Sequence, residues 1–304
     1  MGSFQMGLNW FLYAVISVLL WSVAAIILKY IRVNYIKSTL GYLILTNPVC
    51  LLGLVLLAFG RFHLPSIKII LLIVAVGIIG VTAYWLYIIV IQKEELSRVI
   101  TLYNATPIVT LILATVFLKE VLTIKDYLAF PLVIIGSVLI SVRRTKKRYI
   151  FFSGTMLIIA SIVLYAIQNL LLKSIAEVDF VSMMIIRWFS ISLILGIVFL
   201  TSKKMRDKTK ENFRQLDKKN IMLMYTAEAL GMIGLVFSYL AIQKGLVSLV
   251  TLIQGSESLF VIIVTAIISV FMPYILKEET SIKTIILKIL SALLIIGGLC
   301  LLVI

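Results

Sequence analysis

The chain has 304 residues, of which 62% are hydrophobic and 13% are charged, well below the roughly 25% of charged residues usual in soluble domains. Its mean hydropathy of +1.17 excludes a water-soluble fold of this length. The formal net charge of +15 does not indicate a nucleic-acid partner, because the basic residues lie in short gaps between apolar runs, where loops of membrane proteins carry them. The sequence predicts an all-α integral membrane protein.

Ten apolar runs predict ten transmembrane helices, each long enough to cross a hydrocarbon core of about 30 Å. The first run continues for about 20 residues without a small-residue cleavage site, so we expect a transmembrane helix and not a removed signal peptide. A hydrophilic segment, residues 203–220, follows the seventh run and is expected to be a solvated loop. In chain order the runs cover residues 9–29, 39–59, 69–91, 96–118, 124–142, 152–172, 181–201, 221–242, 247–272 and 283–303.

The sequence repeats itself at the turn that follows the third run. The stretch IQKEELSRVITLYNATP, which begins at Ile91, aligns with IQKGLVSLVTLIQGSES, which begins at Ile242, and Ser97 then falls on Ser248. Each half holds five spans, and an odd number means that the halves insert with opposite orientation, as the repeats of many secondary transporters do. We therefore predict two inverted five-helix repeats, one in residues 1–148 and one in 149–304.

Each half resembles the EamA domain of the drug/metabolite transporter superfamily. The first half reads IQKEELSRV, NATPIVT, FLKEVL and VIIGSVL, and the second reads IQKGLVSLV, SESLFVI, LKEE and LIIGGLC. These stretches follow the family's order: a Gln-Lys turn, a helix start with Ser, a helix with Pro, Leu-Gly-Glu and a Gly-rich last helix. Two departures are that Ser258 stands where Pro is usual, and that Lys replaces Gly in both Leu-Gly-Glu positions. The resemblance implies a multi-pass transporter of the plasma membrane.

The Lys and Arg residues of the loops divide unequally between the two sides of the membrane. Most lie on the side opposite the termini, including those of 143–148 and 203–219, so the positive-inside rule places both termini outside. Members of the family that the chain resembles have both termini in the cytoplasm. The orientation therefore stays open at the level of sequence.

Glu257 is the candidate on which the functional prediction depends. It lies about ten residues into the ninth span, roughly 15 Å from the nearer end and close to the bilayer centre. An ionised side chain there costs at least ~2.5–3.5 kcal/mol, so it must face the helix bundle or a wet cavity. Gln254 and Ser258 neighbour it on the same side of the helix. The functional interpretation is a substrate or proton site, and the alternative is a packing carboxyl bonded to a neighbouring helix.

Two further charged residues lie within predicted spans. Glu228, about 10 Å deep in the eighth span, is expected either to partner a cationic substrate or to pair with the basic 203–219 loop. Arg187, about two turns into the seventh span, fits the Arg that commonly opens the second span of a half in the family. It either binds an anionic group or extends its side chain to the interface.

Uncharged candidates complete the predicted site. Asn104 is a candidate hydrogen-bonding group in the fourth span, and aromatic faces beside a carboxylate would suit an organic cation. The remaining candidates are Tyr103 in the fourth span, Tyr165 and Asn169 in the sixth, Trp21 in the first and Tyr84 in the third.

These features predict a secondary active transporter that moves a small polar or amphipathic metabolite, such as an amino acid, amine or drug-like compound, by alternating access. Proton coupling through Glu257 is part of this expectation, as is a monomer or homodimer in the lipid bilayer. The alternative is a flippase or a carrier for a lipid-linked, nucleotide or sugar substrate. A membrane-embedded enzyme is less favoured, because the deep carboxylates Glu228 and Glu257 lie on different helices and there is no HExxH or GxSxG motif. Neither a metal nor a cofactor is expected, since Cys50, Cys300 and His63 form no cluster in the sequence.

Overall fold

The structure, a computed structural model, describes residues 2–36, 38–58, 60–93, 99, 102–141, 154–261, 264 and 282–303. Throughout this part of the chain the regular structure is helical, which confirms the predicted all-α class. The helices are α1 (Gly2–Asn34), α2 (Thr39–Thr46) with a following 3₁₀ segment (Asn47–Ala58), α3 (Ile67–Lys93), α4 (Thr106–Leu113) with a π-helical end (Ala114–Leu118), α5 (Ile124–Ser141), α6 (Thr155–Ser174), α7 (Phe180–Thr201), α8 (Lys203–Arg214), α9 (Lys218–Lys244), α10 (Val247–Gln254) and α11 (Ile282–Leu301).

Within the described residues, six helical segments are long and apolar enough to cross a membrane. They correspond to the first, second, third, sixth, seventh and eighth predicted spans. The fourth, ninth and tenth predicted spans contain shorter apolar helices. Parts of the fourth and ninth predicted spans fall outside the described residues. The count of ten spans therefore stays a prediction. The six long segments are Asn9–Asn34, Thr39–Ala58, Ile67–Gln92, Thr155–Ser174, Phe180–Thr201 and Lys218–Lys244, and the shorter ones are Thr106–Leu118, Val247–Val261 and Ile289–Leu301.

The segment 203–220 corrects one expectation, because it contains the helix α8 and is not simply a solvated loop. Ser202 caps the helix by accepting a hydrogen bond from the backbone N–H of Met205. Most of α8 is exposed, but Thr209 and Asn212 are buried. Asn212 donates to the carbonyl oxygen of Ser38 at 3.1 Å, which attaches α8 to the start of α2.

The helices pack in pairs that link the two halves of the chain. Helix α1 lies along α9 and α3 lies along α6, while α4 contacts α10, α5 contacts α11 and the 3₁₀ segment contacts α7. If each span of the first predicted half is exchanged with the corresponding span of the second half, the same set of helix pairs results. Two repeats related by a twofold axis would produce such a set, and the inverted repeat itself stays a prediction.

The two Gln-Lys turns identified in the sequence are held by similar contacts. Lys29 Nζ donates to the carbonyl oxygen of Ile91 at 2.7 Å, and Lys173 Nζ donates to that of Ile242 at 2.9 Å. The glutamines of the two turns bond to preceding loops, Gln92 Nε2 to Ile36 O at 3.4 Å and Gln243 Nε2 to Ala176 O at 2.9 Å. Each turn is therefore fixed to the loop between the first two spans of its own half.

Helices α5 and α11 approach closely at two glycines. A Cβ atom on Gly136 would lie 2.8 Å from the carbonyl oxygen of Ser291, and one on Gly298 would lie 3.1 Å from that of Ala129. Small residues at such positions let membrane helices pack through backbone contact. The contact between α5 and α11 connects the last helix of the first predicted half with the last helix of the second, at one edge of the bundle.

Candidate functional site

A cavity of about 290 Å³ lies in the middle of the bundle. Its wall is built from α1, α2, the 3₁₀ segment, α3, α6, α7, α9, α10 and the residues around the start of α4. Most of the wall is apolar or aromatic, and a few polar side chains are set into it. This composition is typical of small-molecule sites, in which a small number of polar groups orient the ligand.

The cavity brings together nine of the eleven residues that the sequence suggested. Ser258 and Asn169 are buried outside the lining, with 3% and 1% of their surfaces exposed. Ser258 follows Glu257 directly, so it points about 100° further around the helix. Whether any of the eleven contacts a substrate stays a prediction. Those that line the cavity are Trp21, Tyr84, Tyr103, Asn104, Tyr165, Arg187, Glu228, Gln254 and Glu257.

Glu257 sits where the helix of the ninth span is interrupted. The regular α-helix ends at Gln254, residues 255 and 256 form a turn in which Gly255 keeps a right-handed backbone conformation, and helix resumes at Glu257. Gly255 is needed because a Cβ there would lie 2.8 Å from Pro107 Cγ of α4. The carbonyl oxygen of Gly255 is not left unsatisfied, since Ser137 Oγ of α5 donates to it at 2.9 Å. The interruption therefore places the carboxylate at the start of a helical turn beside the cavity.

Five aromatic side chains form a continuous row, here called the aromatic wall, along the cavity. The row runs Trp21, Tyr165, Tyr103, Tyr87 and Tyr84, with successive ring centroids 6.5, 6.3, 5.1 and 6.5 Å apart. The Glu257 carboxylate lies close enough to the three middle tyrosines to interact electrostatically with them. The cavity thus offers π-faces next to a negative charge, an arrangement that attracts organic ammonium groups.

Hydrogen bonds fix both Trp21 and Tyr103 in this wall. Trp21 Nε1 donates to the carbonyl oxygen of Gly231 in α9 at 3.1 Å. The hydroxyls of Tyr103 and Ser161 lie 2.9 Å apart, and Ser161 Oγ donates to the carbonyl oxygen of Ala83 at 2.7 Å. These bonds preorganise the aromatic wall, because neither ring is free to rotate into the cavity without losing a bond.

Glu228 has a different environment from Glu257. Its carboxylate accepts hydrogen bonds from the hydroxyls of Tyr42 and Tyr84, the second at 3.0 Å. The alternative pairing with the basic 203–219 loop is not what the structure shows. Glu228 is therefore anchored by α2 and α3, and it connects three helices of the cavity wall.

Arg187 does not extend its side chain to the membrane interface. Only 4% of its surface is exposed, and it lines the cavity from α7. Its Nε and Nη1 atoms are buried and have no hydrogen-bond partner in the part of the chain that the structure describes. Gly80 of α3 makes room for it, since a Cβ there would lie 3.0 Å from Arg187 Nη2. The guanidinium is thus close to helix backbone and electrostatically near Tyr165.

Two of the three cavity-lining amides that have a buried polar atom without a partner among the described residues are Gln254 and Asn104. Gln254 Nε2 donates to Ser238 Oγ at 2.8 Å, which leaves Gln254 Oε1 buried and unbonded. Asn104 Nδ2 is also buried without an acceptor. A buried polar atom without a partner costs about 1–3 kcal/mol, so a ligand that supplied the missing partners would gain from both.

The structure adds two residues to the site that are not among the candidates predicted from the sequence. Tyr42, buried in α2, lies behind the lining and bonds Glu228, and Trp188 lines the cavity itself. The stretch LGYLILTNP contained the available signal for Tyr42. A tyrosine and a threonine four residues apart, here Tyr42 and Thr46, mark a polar stripe on an apolar helix.

Within the described residues, a helical bundle with six segments long and apolar enough to cross a membrane surrounds a partly charged cavity, an arrangement that defines a multi-pass membrane protein. Residues 8–142 match the EamA-like transporter family. The match lies within the first of the two predicted halves and confirms the resemblance to this family that the sequence showed. This family consists of membrane transporters.

Solved structures agree with the fold. Among 28 matching chains, one crystal structure covers 96% of this chain and 95% of its own, with a TM-score of 0.69 and 14% sequence identity. At that identity the likeness concerns the fold alone. No curated protein matches the chain.

Proposed function

We propose that the protein is a secondary active transporter that binds a small polar or amphipathic metabolite in the central cavity and moves it by alternating access. The observation that carries the proposal is the Glu257 carboxylate, which lies at a helix interruption beside the aromatic wall. Interrupted helices near the bilayer midplane form the binding sites of many secondary transporters. The helix pairs that link the two halves provide elements that can rock against each other around this site.

The cavity size favours a small substrate. Ligand pockets commonly measure about 300–1,000 Å³, and the cavity of about 290 Å³ lies just below this range. An amino acid or amine suits this space better than a nucleotide sugar or a lipid-linked glycan. The flippase or nucleotide-carrier alternative would need a markedly larger cavity in another state.

Glu257 is proposed to carry the coupling proton. The titratable groups around it are tyrosines of the aromatic wall, Tyr87, Tyr103 and Tyr165. Burial away from water makes the ionised form of this carboxylate unfavourable. Binding of a proton or of a cationic ligand would remove that unfavourable energy. Proton binding and substrate binding would then compete for one side chain, which is the requirement for exchange of the two.

The test is Glu257→Gln in proteoliposomes. A thermal-shift screen of the purified protein against amino acids, amines, nucleosides and sugars first identifies a ligand, because binding to the folded state raises apparent stability. We expect the substitution to abolish uptake of that ligand or to remove the dependence of uptake on pH. Glu211→Gln, on the exposed surface of α8, is the matched control. Unchanged uptake with an unchanged pH profile in the Glu257 variant would refute the central role of this residue.

A further inference from the structure

The helix α8 is confined to the level at which two membrane-crossing helices end. Ser202 alone separates it from the end of α7, and residues 215–217 alone separate it from the start of α9. Both neighbouring helices are long and apolar enough to cross a membrane. Because a chain extends by at most about 3.6 Å per residue, α8 stays close to the level at which α7 and α9 leave the bilayer. The helix therefore runs beside the lipid headgroups.

One side of α8 is fixed against the rest of the protein. Thr209 and Asn212 are buried on this side, and Asn212 donates a hydrogen bond to the carbonyl oxygen of Ser38 before α2. A Cβ atom on Gly41 of α2 would lie 3.3 Å from the carbonyl oxygen of Lys208, so the two helices approach closely. These contacts hold α8 in one rotation about its axis, and the residues of its other sides keep a fixed direction.

A second side of α8, next to the buried one, carries positive charge and one aromatic ring. Successive residues are separated by about 100° around a helix, so five residues fall within an arc of about 100° that excludes Asp207 and Glu211. None of the five is buried, and 48% of the surface of Phe213 is exposed. Lys203 and Lys210 form neither an ion pair nor a hydrogen bond with the described residues. The five residues, here called the basic face, are Lys203, Arg206, Lys210, Phe213 and Arg214.

The chemistry of the basic face fits a surface of anionic lipid. Residues 203–219 hold eight basic and three acidic residues, so the segment does not neutralise its own charge. Each Lys or Arg near an anionic membrane surface adds to the attraction between the two. An exposed aromatic ring on a basic surface helix enters the boundary between headgroups and acyl chains. A small soluble anion would interact with the charges alone, whereas a lipid also covers the ring of Phe213.

We infer that the basic face of α8 binds the headgroup phosphates of anionic phospholipids, with the ring of Phe213 between the headgroups and the acyl chains. The structure describes all of α8, and none of its residues lines the central cavity. The lipid site is therefore separate from the proposed transport site, and the inference does not rest on the transport function.

The headgroup preference of the detergent-purified protein tests this inference. Native mass spectrometry measures the binding of phosphatidylglycerol and of phosphatidylcholine with the same acyl chains, so the two probes differ only in the headgroup. We expect the wild-type protein to bind phosphatidylglycerol about 10-fold or more tightly. The preference should decrease as the ionic strength rises, because salt screens exposed charges.

Variants assign the binding to the basic face. Lys203→Gln combined with Lys210→Gln should weaken the binding of phosphatidylglycerol about 10-fold. The matched control, Lys204→Gln combined with Lys208→Gln, removes two charges from another side of the same helix and should weaken it by less than about 3-fold. All four lysines are exposed.

The ring of Phe213 distinguishes a lipid from a soluble anion. Phe213→Ser should weaken the binding of phosphatidylglycerol about 3-fold or more, because the half-exposed ring loses its apolar contact. Inorganic phosphate and poly-glutamate, added at equal ionic strength, should displace no more lipid than chloride does.

Three results would overturn the inference. They are equal affinities of the wild-type protein for the two lipids, an equal loss of phosphatidylglycerol binding in the two lysine pairs, and displacement of the lipid by phosphate or poly-glutamate beyond that caused by chloride. The last result would identify a soluble anion or an acidic protein as the partner of α8. The wild-type comparison and the competition need no variant, so they decide the question even if a variant does not fold.

Discussion

Glu120 joins the two halves of the chain, and its removal should destabilise the bundle. It follows the π-helical end of α4, and only 8% of its surface is exposed. Its carboxylate accepts three hydrogen bonds from the start of α10: from Val247 N at 2.7 Å, from Ser248 N at 3.2 Å and from Ser248 Oγ at 2.5 Å. The side chain thus caps a helix that lies more than one hundred residues away in the sequence.

The cost of Glu120→Ala can be worked from these contacts. Hydrogen bonds to a charged group contribute about 1.5–3 kcal/mol each, but three bonds to one carboxylate are not additive. The substitution also leaves two buried N–H groups at the helix start without acceptors. We expect a loss of about 3–5 kcal/mol in the free energy of unfolding.

Thermal unfolding of the detergent-purified protein measures this loss. At about 2–4 °C per kcal/mol for chains of about 150–250 residues, the midpoint should fall by about 6 °C or more. Glu120→Gln keeps one acceptor oxygen and should fall by less. Glu211→Ala, on the exposed face of α8, should leave the midpoint unchanged within about 1 °C. A Glu120→Ala midpoint indistinguishable from that of the Glu211 control would refute the capping role.

Two further substitutions test local features of the structure by the same measurement. Tyr42→Phe removes one of the two donors to Glu228 and should lower the free energy of unfolding by about 1.5–3 kcal/mol; a loss below about 0.5 kcal/mol would mean that the bond contributes little. Lys119→Gly should instead stabilise the protein by about 0.5–1 kcal/mol. Lys119 has a φ of 53°, and this left-handed conformation costs a non-glycine residue about 1–2 kcal/mol. Glycine avoids that cost but loses about 0.5–1 kcal/mol through its greater entropy in the unfolded chain. Lys210→Gly, at an exposed position in the middle of α8, should destabilise by about 1 kcal/mol, so the same sign of change at both positions would contradict the argument.

The conformation of Lys119 shows why glycine would suit this position, and nothing in the structure explains the lysine that this chain has there. The family that the chain resembles places Gly at this position of its Leu-Gly-Glu motif. The structure shows why glycine suits it, since Lys119 ends the π-helical turn in the left-handed region and its N–H bonds to the carbonyl oxygen of Ala114. The turn then directs Glu120 towards α10. The motif is thus interpretable as a helix end followed by a cap for a distant helix.

Hydropathy was sufficient to find the deep carboxylates but not to distinguish their roles. Glu228 and Glu257 both stand out as charges in apolar runs, which is a local signal. Glu228 differs from Glu257 because it accepts hydrogen bonds from Tyr42 and Tyr84, which lie 186 and 144 residues away in the sequence. A single sequence does not show contacts between residues so far apart. The fate of the Arg187 side chain was open for the same reason, since the length of its stem permits both an interfacial and a buried position.

The helix α8 was missed for a different reason. Its sequence, KKMRDKTKENFR, is so polar that no apolar stripe predicts a helix. The local signals were nevertheless present, because Ser202 and Asp217 are good N-cap residues at the starts of α8 and α9. In a segment outside the apolar runs, capping residues are therefore a better indicator of a helix than hydropathy is.

The distribution of satisfied and unsatisfied polar groups separates the framework of this protein from its site. At the helix ends, Glu120, Lys173 and Gln243 each bond to backbone groups of another segment. In the cavity, Arg187 and Glu257 have no such partners among the described residues. A membrane protein has little water in its core to compensate polar groups. The bonded groups therefore hold the helices together, whereas the two cavity charges carry a cost that a bound proton or ligand of the proposed transport cycle would relieve.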